Sequence, residues 1–377
     1  MTVNLKYLIH FQSIQVNALK IFVVGDYFML PSVFERYLRE TLSDVVEDLE
    51  IRSLEWPFEI RKEPTPLDPE ITEYAGSPEE LERLVRDEDV ILVHLAPVTR
   101  GMIEGNENLK IVGCARGGPV NVNISAATGR GIPVLFTPGR NAEAVAEYTM
   151  GLIIAESRNI VRAGAALKEG IWRADYYRYD LSGPELSGKT LGVIGYGAVG
   201  LLVGELAKGF GMKVVAYDPY VPEEEMRRRG VEKMDLEDLL RSSDIVTIHV
   251  RLTPETRNLI GERELSLMKP DAYLVNTSRG GVVDETALYN ALKAKKLKGA
   301  ALDVFEKEPL PRESPLLTLD NITVTPHIAG ASTSAAHRAA QMLSNDIKSI
   351  ITGKTPQFCK NWNELRSKEK VNFSSKG

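Results

Sequence analysis

Cysteine is nearly absent: the 377 residues hold two, Cys114 and Cys359. Two thiols make neither a disulfide framework nor a thiolate metal cluster, and they suit a reducing, cytoplasmic setting. Histidine is also sparse, with five copies. His10, His94, His249 and His337 show no metal-ligand spacing among themselves, so no metal is expected. No run approaches the roughly eighteen apolar residues of a membrane span. The N-terminal stretch lacks the basic start, long apolar core and cleavage site of a signal peptide. A net charge of −6 gives no general attraction to nucleic acid or anionic lipid. Neither a G-x-S-x-G elbow nor a P-loop occurs, which leaves hydrolase and kinase readings without support. What is present is the composition of a globular protein, 43% hydrophobic and 26% charged, at a length that suits two domains.

The most informative stretch begins at Thr190. Leu191 to Ile194 is a short, apolar, β-branched run that reads as a buried strand. Gly195, Gly197 and Gly200 follow as G-x-G-x-x-G, with Tyr196, Ala198 and Val199 between them, and helical periodicity continues from Leu201. A second strand, Lys213 to Tyr217, ends at Asp218. At that spacing Gly195 makes the tight turn, Gly197 lets the backbone approach a pyrophosphate, and Gly200 lets the helix pack on the strand. The helix N-terminus then meets the phosphate charge. Asp218 accepts from both ribose hydroxyls and repels a 2′-phosphate, so NAD is expected rather than NADP. Glycine-rich turns that bind nothing are common. The strand before, the helix after and the distant acid are what favour dinucleotide binding.

The remaining chain alternates strands and helices. Strands are expected at Lys20 to Val24, Val90 to Val93, Lys110 to Val112 and Ile132 to Phe136. Ser32 has capping-box spacing for a helix whose apolar face is Phe34, Tyr37, Leu38, Leu42, Val45 and Val46, and Ser77 with Pro78 opens another. Trp56 to Pro69, with four prolines, reads as an irregular connection. Asn141 is expected to cap a long, many-sided apolar helix from Ala142 to about Lys168, suited to bridging domains or subunits. From Thr190, strands are expected to end near Ile194, Tyr217, His249, Asn276, Asp303 and Thr325. A last helix, Ser332 to Ile351, returns to the first domain, and the lysine-rich tail after Gly353 reads as a solvated end. The expected fold class is α/β with two open parallel sheets. A Rossmann dinucleotide-binding domain, 137–327, is inserted in a discontinuous flavodoxin-like substrate domain, 20–136 and 328–360. Residues 1–19 and 361–377 are expected to be irregular termini.

In open α/β sheets ligands sit beyond the carboxyl ends of strands. Three consecutive strand ends of the second domain carry Arg279, Glu308 and His327. Histidine moves protons well at neutral pH, a neighbouring carboxylate stabilises imidazolium, and arginine grips a carboxylate with two hydrogen bonds. That set suits hydride transfer at an oxygen-bearing carbon. Taken singly, each has an ordinary reading: a strand-end histidine that bonds locally, an arginine that holds its turn, a solvated loop acid.

The motifs at Gly195 to Gly200, Asn276 to Asp284, Ala301 to Pro309 and Thr325 to Ala329, together and in this order, resemble the D-isomer-specific 2-hydroxyacid dehydrogenases, from roughly Lys20 to Gly353. The resemblance implies that Arg279 binds a 2-oxoacid carboxylate and that His327 is the acid/base. It implies that Glu308, the acid before Pro309, is the partner of His327 rather than Glu306. By the same resemblance Asp303 holds the nicotinamide carboxamide, with Thr277, Arg279 and His327 counted beside the cofactor. Leu95, Ala96, Gly117 and Gly118 would hold substrate. It further implies an NAD-dependent enzyme acting on a D-2-hydroxyacid, 3-phosphoglycerate or a related anion, and a homodimer formed through the cofactor domains. No regulatory domain is expected after Ile351. The alternative on this scaffold is an NAD(H)-sensing interaction module of the corepressor type. Two departures from the family pattern, Arg116 before Gly117 and Arg251 where a proline usually stands, lead to the expectation that Arg116, with Arg251, receives a second anionic group of the substrate.

Overall fold

The computed structural model describes residues 16–367, in two compact units: 16–140 with 332–367, and 141–331. Expectations for residues 1–15 and 368–377 lie outside the described residues. The first unit opens with β1 (Val16–Gly25), α1 (Pro31–Leu42), β2 (Val46–Glu55), β3 (Ile60–Arg61), β4 (Tyr74–Ala75) and α2 (Pro78–Leu84). It continues with β5 (Val90–Val93), α3 (Arg100–Gly105), β6 (Ile111–Cys114), α4 (Ile124–Gly129) and β7 (Val134–Phe136). Five strands form one sheet in the order β2-β1-β5-β6-β7, every pair parallel. That is the flavodoxin-like order, with its switch point between β1 and β5. All residues of β5 and β6 are buried, as a parallel sheet covered on both faces requires.

Two local expectations fail here. Leu30, not Ser32, stands at the N-cap of α1 and makes no side-chain cap bond, because Pro31 takes the first helical position, where a missing N–H costs nothing. Val45 and Val46 are not on the helix: α1 stops at Leu42 and Val46 opens β2, a strand whose apolar residues continue the helical spacing by chance. The Ser77 cap holds, its Oγ accepting from Glu80 N at 3.2 Å.

The second unit contains α5 (Ala142–Ser157), α6 (Ile160–Lys168), β8 (Thr190–Ile194), α7 (Ala198–Gly209), β9 (Lys213–Tyr217), α8 (Glu223–Arg228) and β10 (Glu232–Lys233). After these come α9 (Leu236–Ser242), β11 (Ile245–Ile248), α10 (Glu262–Leu267), β12 (Tyr273–Asn276), α11 (Glu285–Lys293), β13 (Gly299–Leu302) and β14 (Ile322–Val324). Seven parallel strands run β10-β9-β8-β11-β12-β13-β14, so the order reverses between β8 and β11, immediately beside the glycine turn. The expected single helix from Ala142 is two. Asn159 at φ +59° breaks it, and asparagine is among the few residues that tolerate that conformation. Asn141 makes no side-chain cap bond. The break is tied by Glu156, which is buried in α5, accepts from Thr323 Oγ1 at 2.6 Å and pairs with Arg162 of α6.

The chain ends with α12 (Thr333–Ile351), capped by Ser332 Oγ, which accepts from Ala335 N at 3.1 Å. Its face of Ala336, Ala339, Ala340, Leu343 and Ile347 belongs to the same core as Phe34, Leu38 and Leu42 of α1. Within the described residues, the stretch from Gln357 to Asn361 is not a solvated end. Buried Asp346 accepts from Gln357 N at 2.6 Å and Phe358 N at 2.9 Å, and Cys359 bridges to Leu135. Asn361 Oδ1 accepts from Val134 N at 2.9 Å while its Nδ2 donates to Ile132 O at 2.9 Å. Residues 357–361 therefore complete the exposed edge of β7, a role carried by polar side chains that composition alone reads as solvated.

Candidate functional site

At the cofactor turn of the second unit, Gly195 has φ +90°, and a Cβ there would sit 2.8 Å from Val250 Cγ1. At Gly200 a side chain would run into the Gly195 carbonyl, so only glycine lets α7 approach β8 this closely. At Gly197 nothing lies within 4 Å of where a Cβ would be. Gly197 is also the N-cap of α7 and offers no side-chain cap, so the first-turn N–H groups face that open space uncapped, as a pyrophosphate needs. Ala198 is exposed and Val199 half-buried at this edge. Asp218, at the end of β9, is fastened by Tyr196 N at 2.9 Å and Tyr220 N at 2.8 Å. The Tyr196 side chain, by contrast, is buried, its hydroxyl sealed without a partner near Gly204, so only its main chain is at the turn. These groups fit a dinucleotide with an unphosphorylated ribose.

The ends of β12, β13 and β14 carry the reactive candidates. Asn276 Oδ1 accepts from Ser278 N at 3.0 Å and its Nδ2 donates to Arg279 O at 3.0 Å, pinning the turn from which Arg279 projects, exposed. Thr277 is buried, its Oγ1 2.8 Å from Thr149 Oγ1 of α5. His327 Nδ1 is 2.8 Å from Glu308 Oε2, and Glu308 Oε1 accepts from Phe305 N at 3.0 Å. Glu308, not Glu306, reaches the imidazole; Glu306 lies 3.7 Å from Arg257. With Nδ1–H donated to the carboxylate, Nε2 is the nitrogen left for proton exchange.

Asp303 is fully buried and holds the turn that bears His327: it accepts from Thr325 Oγ1 at 2.6 Å, Ile328 N at 3.0 Å and Ala329 N at 2.8 Å. Three of a carboxylate's roughly four acceptor positions are thus taken inside the chain. The local strain explains the need, since His327 adopts φ +55°.

In the first unit the strand ends gather groups that sequence reasoning missed. Asp26 follows β1 and His94 follows β5; His94 Nδ1 is 2.6 Å from Asp26 Oδ2, both buried. Burial lowers the His94 pKa below its usual value, so the neutral ring accepts at Nε2, which lies 3.4 Å from Arg140 Nη2. Arg140 is pulled down to about 10 by burial, and its Nη1 is sealed with no partner. Asn121 Nδ2 donates to His94 O at 3.0 Å and Ala96 O at 2.8 Å, fixing the loop of buried Leu95 and Ala96. Gly117 and Gly118 are exposed. Arg116 is engaged: its guanidinium pairs with the Glu73 carboxylate and donates to Glu73 O at 3.2 Å. Arg251 is exposed and belongs to the other unit. Arg140 was discoverable in principle, since it stands just past β7 at a strand end, but its partners are distant in sequence. Among the described residues no three His, Cys, Asp or Glu side chains cluster as metal ligands, and no helix is long and apolar enough to cross a membrane.

Residues 150–329 match the model of the D-isomer specific 2-hydroxyacid dehydrogenase, NAD binding domain. The chain is 48% identical over 278 residues to a D-3-phosphoglycerate dehydrogenase of Methanocaldococcus jannaschii, a match covering 73% of this chain and 52% of that protein, so it spans about half that relative's length. It is 44% identical over 288 residues to a hydroxypyruvate reductase of Thermotoga maritima, covering 72% of this chain and 92% of that one. The crystal structure of the TT0316 protein of Thermus thermophilus superimposes with a TM-score of 0.72 at 31% identity, over 90% of this chain and 99% of the other. With the glycine turn, Asp218 and the His327–Glu308 pair already in place, these matches settle the family: the chain belongs to the D-isomer specific 2-hydroxyacid dehydrogenases, and residues 150–329 form its NAD-binding domain.

Proposed function

We propose that this protein transfers a hydride between NAD and a D-2-hydroxyacid/2-oxoacid pair. The observation that carries the reading is the His327–Glu308 hydrogen bond of 2.8 Å, one strand end away from exposed Arg279. NADH supplies the hydride when bound. Arg279 grips the 2-oxoacid carboxylate and polarises the carbonyl; His327 Nε2 gives the proton to the carbonyl oxygen; Glu308 holds the ring and stabilises its charged form. Relatives named as a dehydrogenase and a reductase favour this enzyme over an interaction module. Exposed apolar residues on and after α6, among them Ile160, Leu167 and Trp172, support a homodimer through this unit.

For a second anionic group on the substrate, the better receiver is Arg140 rather than Arg116. Arg116 already has a carboxylate partner, whereas Arg140 has a sealed guanidinium nitrogen with none. Buried cations ordinarily find a counter-charge. NADH oxidation with glyoxylate, hydroxypyruvate and phosphohydroxypyruvate tests both parts of the proposal. Turnover of at least one supports the activity; turnover of none removes it. Arg140→Met should cost phosphohydroxypyruvate at least about tenfold more kcat/KM than glyoxylate, the scale of one lost charged hydrogen bond. Equal losses dismiss the second anion.

A further inference from the structure

Away from the strand ends, α1 and α12 of the first unit enclose a surface cleft of about 360 Å³, lined by Arg36, Tyr37, Ser334, His337, Arg338 and Gln341. No carboxylate lines it. Every lining residue carries at least one hydrogen-bond donor, and two are guanidinium groups. Its volume is within the range of small-molecule sites, about 300–1,000 Å³. The family's chemistry, as described above, uses none of these six residues.

The donors are held in position before any ligand arrives. Tyr37 meets the His337 ring edge-on at 5.8 Å and carries the Arg36 guanidinium at 5.4 Å. Arg338 Nε donates to Arg140 O at 2.8 Å, which fixes the base of that side chain. Arg36 pairs with Glu40 on the exposed surface, an i,i+4 contact weak enough to be exchanged for a ligand. His337 is the telling group. Its Nδ1 is sealed from solvent and has no hydrogen-bond partner. A proton there would be a buried, unsatisfied donor, which leaves Nε2 as the ring's donor.

We propose that this cleft binds a small molecule bearing an oxyanion, either a phosphate or a carboxylate group, with Arg36 and His337 as its donors. Such a site lies in the helical layer and is independent of the dehydrogenase reading.

The test uses the full chain and its histidine side-chain NMR signals, of which there are only five. His337 is assigned by the signal lost in His337→Gln. Inorganic phosphate and citrate are titrated in parallel, against sodium chloride at matched ionic strength. The expected result is a saturable displacement of the His337 signal by one or both oxyanions, absent with chloride, and weakened about tenfold in Arg36→Gln, a change at an exposed position. A response to phosphate alone assigns the phosphate class, and a response to citrate alone the carboxylate class. A displacement that never saturates, that chloride reproduces, or that Arg36→Gln leaves unchanged overturns the proposal.

Discussion

His327 adopts a backbone conformation, φ +55°, that costs a non-glycine residue about 1–2 kcal/mol. Asp303 sustains it by accepting from the two main-chain N–H groups that follow. A reactive imidazole is thus aimed by a buried carboxylate on one side and oriented by Glu308 on the other. A half-buried histidine elsewhere has a different consequence. His249 is half-buried just past the end of β11, its Nε2 2.9 Å from Thr247 Oγ1, and desolvation drives its pKa from 6.5 down to about 3. Below pH 6.5 the unfolded chain takes a proton on this ring, while the folded chain stays neutral until far lower. The stability this represents is complete above pH 6.5 and drains away as the pH falls. Between about pH 7 and 5.5 it should amount to about 1 kcal/mol. Denaturant unfolding of wild type and His249→Asn at both pH values measures it. The variant should lose about 1 kcal/mol less than wild type over that interval, and equal losses would refute the assignment.

At the level of elements, the central parallel strands were plain in the sequence because β5, β6, β11 and β12 are buried on both faces and read as short, largely apolar runs. The catalytic candidates were plain for a related reason: in a parallel sheet, function gathers where such runs end. What escaped was held by polar side chains reaching across long stretches of chain. The Asp26–His94 pair joins positions 68 residues apart. The helix break at Asn159 depends on one backbone torsion. Docking of residues 357–361 on β7 depends on Asp346 and Asn361, whose residue types predict solvent. Asn361→Ala should leave the buried Val134 N–H and Ile132 carbonyl unpaired and cost about 2 kcal/mol. Chemical denaturation gives the number, and a loss below about 0.5 kcal/mol would show that the segment is not an integral edge of the sheet.

For the whole molecule, the exposed face of the second unit is the feature most in need of a partner. No residue of α6 is buried, Ile160 is 54% exposed and Trp172 is 78% exposed. So many large apolar side chains exposed along one short stretch, with Val161, Leu167 and Ile171 among them, are what a subunit interface would cover. Light scattering should give twice the chain mass for wild type and a shift toward the single-chain mass for Trp172→Glu with Ile160→Glu; a wild-type monomer would contradict the dimer. The central claim, that His327 passes the proton that accompanies hydride transfer, is tested most directly by single-turnover NADH oxidation in the enzyme carrying His327→Ala, with a 2-oxoacid that wild type reduces. The account predicts a rate at least about 100-fold below wild type when the variant is saturated with NADH. A variant that transfers hydride at close to the wild-type rate would contradict it.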